Sequence, residues 1–168
     1  MINVNGEKLS KEDVDILFVQ ACHSGDLAKV VRAVEEFGAN INATDKLGYA
    51  RALMYALRAC STPGDDAELI IKYLVNKGAE VDFKHGDKGS NMDSRPYFIY
   101  FAICNDANVS DELVYFLVKK GDPKTLTYVP TTKIGSQHGS ALDKMKTIRP
   151  NLYKKLVSEK IVSNKTNR

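Results

Sequence analysis

One spacing recurs three times in this chain and limits what it can fold into. Between Gly25 and Asn42 the sequence reads GDLAKVVRAVEEFGANIN. Leu27, Val30, Val31 and Val34 fall at the i, i+3, i+4, i+7 interval that lines one helix face. Gly38 follows where a left-handed C-cap is expected. Ile70, Ile71 and Leu74 lead in the same way to Gly78-Ala79-Glu80-Val81-Asp82, and Val114, Leu117 and Val118 lead to Gly121-Asp122-Pro123. Val34, Leu74 and Leu117 each stand four residues before the glycine. A short helix-and-stop unit cannot bury its apolar face alone, so repeated copies must stack on one another.

Each copy has a partner helix upstream. Residues 1–12 read as a polar arm, in which Ser10 and Asp13 resemble a capping box. Residues 11–24 form the first helix, with Val14, Leu17, Phe18 and Ala21 as its apolar face. Gly25 ends it, and the next helix returns antiparallel after a tight turn. Residues 39–49 are an extended connection with a β-turn at Asp45-Lys46-Leu47-Gly48. A second pair follows: ARALMYALRAC, a break at Ser61–Asp65, then AELIIKYLVNK capped by Asp66. The third pair is YFIYFAICN and DELVYFLVKK, with Ser110 as N-cap. The fourth begins at Ser140 and continues from Arg149-Pro150, with proline at the first helical position. Leu152, Leu156, Val157 and Ile161 give its second helix a buried side. The tail 163–168 is polar.

Gly38-Ala39-Asn40-Ile41-Asn42 with Asp45-Lys46-Leu47-Gly48-Tyr49, Gly78-Ala79-Glu80-Val81-Asp82, and Gly25-Asp26-Leu27 together resemble the ankyrin repeat. That family's helical pair ends in Gly-Ala-Asp-X-Asn and continues Asp-X-X-Gly-X-Thr-Pro-Leu. The resemblance implies an all-α fold, an ankyrin-repeat solenoid of stacked helix-turn-helix units with extended finger loops. It would occupy residues 13–162 as repeats 13–44, 45–83, 84–124 and 125–162. The departures are specific. Thr-Pro-Leu-His becomes Ala-Arg-Ala-Leu-Met in the second copy and survives only as Arg95-Pro96-Tyr97 in the third. The excess length falls in connections, where loop closure costs little per added residue.

The same resemblance implies a non-catalytic protein–protein interaction module. Carried over by position, the finger contributes Lys46, Leu47 and Tyr49, and the end of the first helix contributes His23 and Ser24. Arg58 and Ser61 are their equivalents in the second copy, and Lys88, Asn91 and Tyr128 belong to the longer fingers. A stand-alone array acts by covering or tethering its partner. The expected role is therefore an inhibitor or adaptor. Narrower versions are a toxin-neutralising immunity protein, or an effector delivered into a host cell.

Charge opens a rival reading. From Lys119 onward there are 12 basic residues against 3 acidic ones, while the whole chain carries a net +3. Such an end suits nucleic acid, or merely solvates a terminal cap. Scarce arginine and the lack of aromatic–basic interleaving favour the cap over a nucleic-acid partner. Cys22, Cys60 and Cys104 each close the first helix of a pair. Equivalent positions in neighbouring repeats lie roughly 8–10 Å apart, too far for a disulfide, so the cysteines read as small buried residues in a reduced, cytoplasmic protein. His23, His85 and His138 have no metal-ligand spacing. No cofactor, metal site or catalytic residue is expected. No apolar run reaches the roughly 20 residues of a membrane span, and the first residues lack a secretory pattern. A monomer or weak homodimer is the expected state.

Overall fold

The computed structural model describes residues 9–48, 50–82, 97–105, 107–127 and 139–162. These residues are all-helical apart from an isolated bridge between Thr44 and Arg51. Among the described residues eight α-helices occur: α1 Lys11–His23, α2 Leu27–Glu35, α3 Ala52–Ala59, α4 Asp66–Asn76, α5 Tyr97–Cys104, α6 Asp111–Lys120, α7 Ala141–Ile148 and α8 Pro150–Ser158. A 3-10 turn spans Pro123–Thr127. None of these helices is long and apolar enough to cross a membrane.

Side-chain caps set most of the helix starts. Ser10 and Asp13 form the expected capping box on α1, and Ser140 and Asp143 form a second on α7. Asp26 accepts from the Lys29 amide and Ser110 from the Leu113 amide. Pro150 opens α8 at its first turn. On α4 the cap is Asp65, not the expected Asp66, which is already helical. Only Asp65 has the extended backbone (φ −70°, ψ 175°) that an N-cap needs.

The helices form two compact units, one ending at Glu80 and the other beginning at Val81. In the N-terminal unit α1 packs against α3 and α2 against α4, while each hairpin closes on itself. The C-terminal unit repeats the plan, with α5 against α7 and α6 against α8. Phe18, Leu53, Leu57, Ile70 and Leu74 fill the first core; Phe98, Ile103, Leu113, Leu117 and Met145 fill the second.

Several expectations about apolar faces and stops need correcting. On α8 only Leu152 and Leu156 of the four expected residues are buried, and Ile161 lies past the end of the helix. Leu17 is 43% exposed. With Val14, Ala21, Ala33 and Phe37 it lines an open groove of about 490 Å³ between α1 and α2. On α2 only Val30 of the periodic set is fully buried, and Ala33 joins it. Gly38 and Gly78 have the expected positive φ, at 64° and 95°. Gly121 does not: its φ is −87°. Space explains its glycine instead. A Cβ there would lie 2.8 Å from Ile99 Cδ1 and 2.9 Å from Asp82 Oδ1.

The connections are tied to what precedes them by a repeated bond. Asp15 Oδ1 accepts from the Asn40 amide at 2.7 Å. Asn42 Oδ1 accepts from the Glu80 amide at 2.9 Å. Asp82 Oδ2 accepts from the Asp122 amide at 2.7 Å. Each acceptor reaches the backbone one or two residues past a helix-ending glycine. The outer helices are also cross-tied by a tyrosine and a glutamate. Tyr73 donates to Glu35 at 2.7 Å, with Lys77 on the same carboxylate at 2.6 Å. Tyr115 donates to Glu159 at 2.5 Å.

The caps make stability acid-sensitive. Burial works against the Asp65 carboxylate, but the amides of Ser61, Thr62 and Glu68 outweigh it and hold its pKa below the ordinary 3.8. Hydrogen bonds from Ser10 and Ser140 likewise lower Asp13 and Asp143. A carboxyl group with a depressed folded-state pKa stabilises the fold above its unfolded pKa and loses that contribution as pH falls through the folded one. Melting temperature is therefore expected to hold steady down to about pH 5 and to fall below about pH 4. Asp65→Asn, which keeps a cap acceptor without a titrating proton, should flatten part of that limb in melts followed by circular dichroism.

Candidate partner-binding surface

The connection between α2 and α3 folds back on itself to make a finger. The Asp45 amide donates to Ala50 O at 2.9 Å, and the Ala52 amide donates to Ala43 O at 2.9 Å. Asp45 Oδ1 accepts from the Leu47 amide at 3.1 Å, the Asx turn expected from its side chain. Gly48 takes φ 74° and donates to Asp45 O at 2.9 Å. This leaves Lys46 and Leu47 at the tip, with Leu47 74% exposed. At the base, Arg51 Nη1 pairs with Glu80 at 2.6 Å and donates to Asn42 Oδ1 at 3.4 Å.

Tyr55 joins the finger to the ends of α1 and α3. Its hydroxyl donates to Asp45 Oδ2 at 2.9 Å. The His23 ring meets its edge with centroids 5.3 Å apart at 78°. The Arg58 guanidinium lies 5.7 Å from its centroid. Burial and the Asp45 hydrogen bond both raise the Tyr55 pKa, so the phenol stays protonated and keeps donating. His23 and Arg58 thus meet at the Tyr55 ring, and the finger that carries Lys46 and Leu47 is joined to that ring through Asp45.

Two of the expected residues, both exposed, also make local hydrogen bonds. The Ser24 hydroxyl donates to Ala21 O at 3.1 Å. Ser61 is committed to the α4 cap: its amide and hydroxyl both donate to Asp65 Oδ2, at 2.8 and 3.2 Å. Tyr49, Lys88, Asn91 and Tyr128 lie outside the described residues. Sequence reasoning missed Tyr55. The available signal was its place one helical turn before Arg58, on the same side of α3.

Two of the thiols near this surface are shielded by burial. Burial pushes the Cys22 thiol up to about 12. Burial, with Asp65 and Glu68 nearby, does the same to Cys60. A thiol so shifted is protonated and unreactive near neutral pH. All three cysteines are free, and Cys104, expected to be buried like the other two, is only half-buried. Among the described residues no group of three His, Cys, Asp or Glu side chains is placed to hold a metal ion.

The basic end differs from its linear reading. Aromatic–basic interleaving is absent along the sequence but present in space. Lys155 and Lys119 lie 4.2 and 5.5 Å from the Tyr115 ring centroid, Lys120 lies 5.6 Å from Phe116, and Lys146 lies 5.4 Å from Tyr153. Asp111 and Glu112 line a hollow with Tyr115 and Lys155, so this surface carries both signs. In comparisons with known proteins, no family model matches the chain and no curated protein matches it either.

Proposed function

We propose that the chain is an ankyrin-type repeat protein that binds another protein through its fingers and the ends of its inner helices, without catalysis, as an inhibitor or adaptor. The observation that carries this reading is the finger itself. Its tip is pinned by five backbone and side-chain bonds, yet it presents a large apolar side chain, Leu47, to solvent. A rigid apolar tip beside Tyr55 and Arg58 has the make-up of an interface anchor, where tyrosine and arginine are enriched. The bonds from Asn42 and Asp82 to the Glu80 and Asp122 amides support the solenoid reading, because each braces the connection of the following copy in the same way. Neutralising a toxin or capturing a host protein are the narrower forms of this role.

Pull-down with mass spectrometry, using the wild-type chain as bait, is the direct test. Leu47→Glu and His23→Asp should each cut capture of the retained partner roughly tenfold or more, as loss of an anchor does. Melting temperature should stay within about 2 °C, since both residues are exposed. Capture indifferent to both changes would place the binding face elsewhere. A second reading, nucleic-acid binding through the basic end, has the lysine–aromatic contacts of α6 and α8 in its favour. The carboxylates of Asp111, Glu112 and Glu159 on that surface weigh against it. Phosphate contacts would make affinity fall steeply with salt, which a finger-mediated interface need not do.

A further inference from the structure

We infer that the surface around Tyr55 takes an acidic, partly apolar segment of the partner protein; the inference rests on the reading of that surface as a binding face. Charge accounting within the N-terminal unit points this way. Lys11, Lys29, Arg32, Arg51 and Lys77 each have a carboxylate within 4 Å. Lys72, on α4, has no ion pair among the described residues, and neither do Arg58, over the Tyr55 ring, and Lys46, next to the Asp45 that the Tyr55 hydroxyl reaches. Arg58 and Lys46 are both exposed.

Glu12 and Asp15 share a hollow with Lys46, and the other acids near these cations are engaged. Asp45 spends one oxygen on the Leu47 amide and the other on the Tyr55 hydroxyl. Asp13 feels Lys46, but its carboxylate holds the Ser10 amide and hydroxyl. The Arg58 guanidinium lies 5.7 Å from the Tyr55 ring centroid and holds no ion pair among the described residues. A carboxylate matches that donor fork in a bidentate way. His23 adds a donor at the ring edge. Beside these groups Leu47 is 74% exposed, and only a partner with an apolar side chain gives it something to bury against. A polypeptide bearing Glu or Asp next to Leu, Ile or Val meets both demands. A nucleic-acid strand supplies the negative charge but leaves Leu47 without a counterpart.

Fluorescence anisotropy with a labelled peptide of glutamate and leucine, about 20 residues long, tests this on the full chain. A lysine–leucine peptide of equal length and a labelled oligothymidylate serve as comparators. The acidic peptide should bind best, and Arg58→Glu with Lys46→Glu should weaken it roughly tenfold or more by like-charge juxtaposition. Lys124→Glu with Lys154→Glu, in the basic C-terminal third, should leave it unchanged. Circular dichroism of each variant separates lost binding from lost folding. The inference is overturned by no binding of the acidic peptide, by equal binding of the basic one, by tighter binding of the oligothymidylate, or by dependence on Lys124 and Lys154. If the peptide ignores Arg58 and Lys46 while partner capture still needs Leu47, the binding face stands and its acidic preference falls. If capture ignores Leu47, the binding face itself falls.

Discussion

Arg149→Ala is expected to lower the melting temperature by about 10 °C or more, with the loss concentrated in α5–α8. Arg149 is 5% exposed and sits at the junction of α7 and α8. Its guanidinium donates to Ile103 O at 3.1 Å, Ala102 O at 3.3 Å, Asn105 O at 3.3 Å and Val109 O at 2.8 Å. It also pairs with Asp111 at 2.6 Å. The four carbonyls include the orphan acceptors at the end of α5, which no later helical amide reaches. Removing the side chain strands Ala102 O, Ile103 O and Val109 O away from water, at roughly 1–3 kcal/mol for each buried group left unpaired, while Asn105 O keeps the Asn108 and Val109 amides. The Asp111 pair contributes less, because that carboxylate is 48% exposed. Together these give a loss on the order of 3–5 kcal/mol. Arg149→Lys should recover little, since one ammonium cannot span five acceptors held by a planar fork. Hydrogen exchange provides the regional check: amides of α5–α8 should lose protection while those of α1–α4 keep theirs. Uniform loss across both units would refute the regional assignment.

Gly121→Ala and Gly78→Ala should both destabilise, for different reasons that a double substitution can separate. At Gly78 the penalty is conformational, because φ 95° is strained for any residue with a Cβ. At Gly121 the backbone is ordinary, and the penalty is a collision with Ile99 Cδ1 and the Asp82 carboxylate. That carboxylate cannot simply move away, since it holds the Asp122 amide. Overpacking of this kind costs roughly 1–3 kcal/mol. Ile99→Val removes the nearer of the two atoms. The Gly121→Ala/Ile99→Val pair should therefore be less destabilised than the sum of its single changes by about 1 kcal/mol, measured by denaturant unfolding. No such coupling is expected between Ile99 and Gly78. Additivity at both glycines would show that space is not what Gly121 is for.

This pair also marks where sequence reasoning reached its limit. The helices were legible because amphipathic spacing and Ser or Asp caps are local, and they act the same way whatever surrounds them. The eight helices among the described residues lie where those signals put them, and Asp65 replaces Asp66 only because the cap depends on one residue's backbone angle. Gly121 looked equivalent to Gly38 and Gly78 because sequence records the glycine and not its cause. Leu17 looked buried because periodicity shows which side of α1 is apolar, not how much of that side another helix covers. At the candidate surface, His23, Arg58 and the finger tip were legible from position within the repeat. Tyr55 was not, since its part depends on Asp45 and His23 arriving from two other elements. Arg149 was hidden for the same reason. It lies 46 residues from Ile103, whose carbonyl it holds, and local pattern carries no trace of such a partner.

The bond between Asn42 and the Glu80 amide has a mechanical consequence. Asn42 stands at the root of the finger, and Arg51, on the opposite side of that root, grips both Asn42 and Glu80. The three groups close a small triangle. A tug on the tip at Leu47 is carried down both sides of the finger into that triangle and delivered to the peptide at Glu80. The tip is thus braced against the helical pair that follows it. A partner bound there works against a strut, so little of its grip is lost in bending the finger.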